Sequence, residues 1–182
     1  MLSTGPGLAV AADGSADVPS TTLEAAGCRG FCHTRRMSTL FRHEYQAQWR
    51  DMDFNQHMAN SAFLDYAGNT RTLFSAAGGF TVARFAEMQF GPVILEDRLT
   101  YKREIRLLES FTVDVQLSAS TQDGRRFKIR NRFHTGEDVL CAVVDSIGLW
   151  LDLTTRTPRV PPDELRDAWL SAGRTDDFED WG

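Results

Sequence analysis

From Phe111 to Ser118 apolar and polar side chains alternate strictly: Phe111, Val113, Val115 and Leu117 against Thr112, Asp114, Gln116 and Ser118. A period of two sends the two sets to opposite faces of a strand, which predicts a half-buried sheet. Asp123-Gly124 supplies a hairpin signal. The alternation then resumes with Phe127, Ile129, Asn131 and Phe133 opposing Lys128, Arg130, Arg132 and His134. A second turn at Gly136 leads into 139–153, a long strand with a continuously apolar start. Upstream the period changes. Phe63, Tyr66, Ala67, Thr70, Leu73 and Phe74 recur at helical spacing, with Asn60 or Ser61 placed to cap the start and Gly78-Gly79 to end it. Residues 41–49 read as a first strand and 81–88 as a short helical turn before Gly91-Pro92. The order is strand, long helix, then about four antiparallel strands, an α+β arrangement. The sheet must bury one face, and the single long, mostly apolar helix is its natural cover.

Residues 1–36 break from this pattern. They are rich in Ala, Gly, Ser and Thr, carry Pro6 and Pro19 and have no sustained periodicity, so a disordered leader is expected. Its apolar run at 7–12 is too short for a secretory signal and lacks a basic flank, and Asp13, Asp17 and Glu24 argue against an organelle transit peptide. Met37 opens a more protein-like sequence and is a candidate start of translation. A single domain is expected over 37–170, followed by a tail at 171–182. A body of ~150 residues buries roughly 70% of its unfolded surface, so neither a disulfide nor a metal is required.

Charge narrows the function classes. Lys plus Arg number 20 and Asp plus Glu 25, a net charge of -5 with no long run of either sign. A nucleic-acid binder would show a basic face. An anionic ligand would here need local cations, and a global field would not serve it. Of the three cysteines, Cys28 and Cys32 lie in the leader and lack a second pair for a metal site, while Cys141 sits in an apolar run as a small core residue. A reducing cytoplasm fits this usage. No apolar stretch approaches the ~20 residues of a membrane span.

The densest chemistry lies at 51–60, Asp-Met-Asp-Phe-Asn-Gln-His-Met-Ala-Asn, between the first strand and the long helix. Two carboxylates, two Asn, a Gln and an imidazole meet where a helix N-terminus presents unpaired N–H groups and partial positive charge. This pattern, ahead of a helix containing Tyr66, resembles the signature of the hotdog-fold acyl-CoA thioesterases. More narrowly it is similar to the 4-hydroxybenzoyl-CoA thioesterase type, and its Asn-Gln-His element to plant acyl-carrier-protein thioesterases. The likeness continues through Phe90-Gly-Pro-Val-Ile, Leu99-Thr-Tyr-Lys-Arg-Glu-Ile and Leu149-Trp-Leu-Asp-Leu-Thr-Thr-Arg-Thr-Pro, covering roughly 41–165. Met58-Ala59 depart from the Val-Asn common in the family.

The resemblance implies a hotdog fold, an antiparallel sheet of about five strands wrapped around one long central helix. It also implies hydrolysis of an acyl-CoA thioester, with coenzyme A as part of the substrate and no separate cofactor or metal, and a homodimer or homotetramer. Asp53 takes the position of the catalytic carboxylate, acting as general base on water or attacking the carbonyl directly. His57 and Asn55 are candidates to position water or the acyl carbonyl, and Asn60 and Ser61 to bind substrate. Asp51 is expected to pair with Arg50 or to orient the loop. Lys102, Arg103, Arg125, Arg126, Lys128 and Arg130 read as a charged outer sheet face before they read as phosphate contacts. His134 reads as solvated, and Trp49 and Trp150 as core or interface aromatics. Two other functions share the fold: a non-catalytic acyl-CoA-binding or assembly protein, and an enoyl-CoA hydratase or dehydratase. The latter's Gly-Asp-x-Asn-Pro-x-His pattern is not met here, since neither Asp follows Gly and no Pro follows Asn55.

Overall fold

A computed structural model describes residues 40–182; the leader, with Cys28, Cys32, His33 and Met37, lies outside the described residues. The elements run β1 (Phe41–Gln46), a 3₁₀ turn (Trp49–Asp51), α1 (Asn60–Ala77), α2 (Val82–Glu87), β2 (Phe90–Tyr101), β3 (Ser110–Ser120), β4 (Arg126–Thr135), β5 (Val139–Asp152), α3 (Asp163–Leu170) and β6 (Arg174–Asp180). Five strands form an antiparallel sheet in the order β1-β3-β4-β5-β2, and β6 joins β3 in parallel. β1 pairs with the first half of β3 and β6 with its end. This is the hotdog fold, with α1 against the concave side of the sheet.

Residues 171–182, read as a tail, contain β6. Its sequence Arg-Thr-Asp-Asp-Phe-Glu-Asp has little intrinsic strand tendency. It forms because β1 leaves the far half of β3 unpaired, and Arg130 reaches Asp177 at 2.8 Å. Such a tertiary rescue leaves no periodic signature in the chain.

The helix buries the face its spacing predicts: Phe63, Ala67, Thr70 and Phe74 are all buried. Two apolar clusters result. One gathers Phe63, Phe111, Val113, Phe133 and Val144; the other gathers Phe74, Phe90, Phe127, Trp150 and Trp169. Burying side chains of this size contributes ~1.5–3 kcal/mol each. On three elements a fully buried polar residue separates the two clusters, Thr70 on α1, Asn131 on β4 and Ser146 on β5, whereas on β3 they meet directly at Val113 and Val115.

Several polar-face expectations change. Asp114, on the outward-facing set of β3, is 0% exposed. Its carboxylate enters the β3–β4 ladder, accepting from the Arg132 backbone N–H at 3.0 Å and from Arg132 Nε at 2.9 Å, while Asn131 Nδ2 donates to the Asp114 carbonyl at 2.8 Å. His134 is not solvated either. It is buried, its Nδ1 meets no partner among the described residues, and burial lowers its pKa. Trp150 is a core residue, but Trp49 is 79% exposed, because the chain turns into the 3₁₀ segment before the strand can reach it.

Candidate active site

β1 and α1 are joined by a folded loop. A bridge between Met52 and Met58 closes it. Within, the Asp53 N–H donates to the His57 carbonyl at 2.8 Å and the Gln56 N–H to the Asp53 carbonyl at 3.1 Å. Gln56 takes the left-handed conformation, φ 64. The Asp53 side chain completes the turn, Oδ1 accepting from the amides of Asn55 (2.8 Å) and His57 (3.1 Å). Among the described residues Oδ2 accepts no hydrogen bond, and Asp53 enters no ion pair.

Asp51 fastens this loop to the helix. It is buried, and its Oδ2 accepts from Tyr66 Oη at 2.7 Å and from the Gln48 amide at 2.8 Å. Its carbonyl accepts from Ala59 at 2.8 Å. Arg50 Nε stands 3.8 Å away, a weaker exposed contact, so loop orientation is the larger role. Burial, then the Asp51 carboxylate, push the Tyr66 phenol up from 10.0 to about 12. The unfolded chain releases that proton first. The stabilisation is therefore complete below pH ~10 and is lost as pH rises toward ~12. Unfolding by urea at pH ~9 and ~11 is expected to show this loss in the native chain and a shallower one in Tyr66→Phe; parallel pH profiles would discount the contact.

The cap expectation needs correction. Ala59 occupies the N-cap of α1 and no side chain caps the helix. Asn60 Oδ1 instead accepts from the adjacent Ser61 amide at 2.9 Å. The Ala59 N–H donates to the Asp51 carbonyl at 2.8 Å and so fixes where the loop enters α1. One consequence is chemical: the Asn60 backbone N–H has no acceptor among the described residues.

Asp53, His57 and Asn60 line one open cleft of about 600 Å³. Asn55 and Ser61 do not line it; both are exposed on the solvent side. The opposite wall is Tyr101, Lys102, Arg103 and Glu104, the bend after β2, held where the amides of Lys102 (2.7 Å) and Arg103 (2.9 Å) both donate to the Cys141 carbonyl. Phe63 forms the floor. Lys102 and Arg103 are exposed and enter no ion pair among the described residues. From the sequence they read first as part of a charged outer sheet face; the bend carries them to the cleft instead. Arg125, Arg126, Lys128 and Arg130 do not line it. Among the described residues no group of His, Cys, Asp or Glu converges to hold a metal ion, and no helix is long and apolar enough to cross a membrane.

The cleft thus brings together Asp53, whose Oδ2 accepts no hydrogen bond among the described residues, the helix-start residue Asn60, and Lys102 and Arg103, which enter no ion pair among the described residues. A family model of the thioesterase-like superfamily matches residues 47–170, from the end of β1 to the end of α3. The chain belongs to this superfamily. Among solved structures, this superfamily member is similar to a hypothetical protein from Staphylococcus aureus in complex with CoA, at 18% identity and TM-score 0.67, over 73% of this chain and 83% of that one. It is also similar to a 1,4-dihydroxy-2-naphthoyl-CoA thioesterase from Synechocystis (14% identity, TM-score 0.64, 71% and 94% covered). A gentisyl-coenzyme A thioesterase aligns at 13% identity and TM-score 0.62, over 70% and 98%. Identities this low establish the shared fold alone.

Proposed function

We propose that the protein hydrolyses an acyl-CoA thioester to the free acid and coenzyme A. The observation that carries this reading is the single cleft lined by Asp53, Asn60, Lys102 and Arg103. As a general base, Asp53 takes a proton from water through Oδ2 and the hydroxide adds to the thioester carbonyl. The carbonyl oxygen gains charge beside the Asn60 N–H, a kind of donor typically worth ~3–4 kcal/mol of barrier when preorganised. The C–S bond then breaks, the CoA thiolate leaves and takes up a proton, and the acid remains. The same oxygen can instead attack the carbonyl directly, forming an acyl-enzyme anhydride that water opens. His57 orients the acyl group or water from the same wall. Lys102 and Arg103 supply the local cations that CoA phosphates require in a chain of net charge -5. CoA in the staphylococcal structure and the two thioester hydrolases among the similar folds support this reading.

The proposal includes a homodimer or homotetramer in the cytoplasm. Among the described residues β2 is a 12-residue edge strand that pairs with β5 alone, and Leu95, in its bulge, is 56% exposed. An edge of that length is a template for pairing with another chain. Cys141 is a free, buried thiol, in keeping with a reducing compartment. Purified protein incubated with a panel of aryl- and alkyl-acyl-CoAs and a thiol-reactive dye is expected to release coenzyme A. Silence across the panel, with an acyl-CoA raising the melting temperature, would turn the reading to a non-catalytic binder; hydration of crotonyl-CoA would turn it to a hydratase.

A further inference from the structure

The outer face of the sheet holds a buried imidazole, His134, that the proposed reaction does not use. Thr112 on β3 stands opposite His134 on β4 and opposite Glu44 on β1. In the next row Asp114 on β3 stands opposite Arg42 on β1 and is bound by Arg132 from β4. Past His134 the chain turns through Gly136 (φ 49), Glu137 and Asp138 (φ 64) into β5. Asp138 Oδ1 accepts from Arg42 Nη1 at 2.9 Å, so an ion pair clasps the start of β1 to the β4–β5 turn. Among the described residues β1 is an edge strand paired with β3 alone, and it runs into the 3₁₀ turn that carries Asp51. Both ends of the clasp and His134 line one cavity of about 370 Å³, together with Glu44 and Glu137.

His134 is 8% exposed, and its Nδ1 is buried without a partner among the described residues. A neutral imidazole tolerates this by keeping its proton on Nε2 and leaving Nδ1 a bare acceptor. Charging the ring puts a proton on both nitrogens. The new N–H is then buried and unpaired, which is costly. Burial accordingly lowers the His134 pKa; Asp114 and Asp138 pull it up, and Arg42 and Arg132 push it down. The two carboxylates differ in freedom. Asp114 is 0% exposed and holds two bonds from Arg132. Asp138 has its side chain two-thirds exposed, on a turn closed by its own N–H to the Gly136 carbonyl at 3.0 Å. Asp138 is therefore the carboxylate free to move to the ring. Glu44 and Glu137 are exposed and keep their hydration. His43, the other titratable ring on β1, packs against Tyr45 at 4.7 Å, on the face of the strand opposite to Arg42 and Glu44.

We propose that this is a pH-sensitive clasp: when His134 takes up a proton, Asp138 leaves Arg42 to accept from Nδ1, and the start of β1 is released from the β4–β5 turn. The charged ring also repels Arg42, which drives the same change. The opened form takes the proton more readily than the closed one. The clasp is therefore fully closed above the ordinary histidine value of ~6.5 and loosens as pH falls below it.

The test is hydrogen–deuterium exchange of the full chain at pH ~7.5 and ~5.5, on either side of the ordinary histidine value. Each rate is divided by the intrinsic rate at that pH, and peptides covering β1 are read against β5. Protection in β1 is expected to fall roughly 2- to 5-fold at the lower pH, the size of one partly exposed ion pair, with β5 unchanged. His134→Gln is expected to abolish the fall and His43→Gln to keep it, while Arg42→Gln shows the lower protection at both pH values. In the native chain the His134 ring and the Asp138 carboxyl carbon are expected to titrate with one midpoint by NMR, a readout that needs no variant. Equal β1 protection at both pH values in the native chain overturns the proposal. So does an equal fall in β5, which is global acid unfolding, or a fall that persists in His134→Gln. A His134 ring that titrates with no response at Asp138 overturns it as well. No acyl-CoA enters these readouts, so failure of the clasp and failure of the hydrolase reading are separable.

Discussion

Asp53→Asn is expected to lower acyl-CoA turnover by roughly 100- to 10,000-fold, the range a positioned general base supplies, with little change in thermal midpoint. The argument rests on the two oxygens having different work. Oδ1 accepts the amides of Asn55 and His57 at 2.8 and 3.1 Å. An Asn side chain keeps an oxygen there, so the loop keeps its shape. Oδ2 accepts no hydrogen bond among the described residues, so in the proposed mechanism it is the oxygen that takes a proton or attacks a carbonyl. Asn places an amide nitrogen in its stead, which does neither. Asp53→Ala removes both functions and is expected to cost a further ~1 kcal/mol of stability through the lost turn bonds. Steady-state rates and urea titrations of the two variants together check this. Full activity in Asp53→Asn, with loss only in Asp53→Ala, would reduce Asp53 to a turn residue and remove the hydrolytic role.

The second large effect lies far from the cleft. Arg132→Met is expected to destabilise the protein by about 3 kcal/mol, because it strands a buried charge. Asp114 is 0% exposed and receives only the Arg132 backbone N–H and guanidinium, with Arg132 itself one-third exposed. Removing the guanidinium leaves the carboxylate buried with a single neutral donor. The double variant Asp114→Leu, Arg132→Met is expected to recover much of the loss, since a buried ion pair replaced by apolar groups of similar size is often close to neutral. Chemical denaturation of the single and double variants measures both terms. A single-variant loss below ~1 kcal/mol, the size of an exposed pair, would mean that water reaches Asp114.

These two sites differ in how much of them the chain announces. Asp53 is visible because its neighbours are: a carboxylate, two Asn and a His within a short span before a helix form a local pattern, and local patterns survive without coordinates. Its cleft partners are not visible. Lys102 and Arg103 stand more than forty positions downstream and reach Asp53 only because β2 ends in a bend held by the Cys141 carbonyl. Asp114 misleads for the same reason. Alternation places it on the polar face of β3, but the outer face is not uniformly wet, and Arg132 across the ladder encloses it. β6 is hidden because its residues favour exposure and its strand form is imposed by the open edge of β3.

The order of the first strand, the long helix and the four strands that follow, the inward face of α1, the turns at Asp123-Gly124 and Gly136 and the polar loop at 51–60 were legible in the sequence alone. Each depends on side-chain periodicity or on residues a few positions apart, which is information a chain carries locally. The tertiary structure decided which cations join Asp53, which helix-start amide lacks an acceptor among the described residues, and where the chain encloses Asp114. Those depend on segments distant in sequence meeting at hydrogen-bond range, and on how much water the meeting excludes.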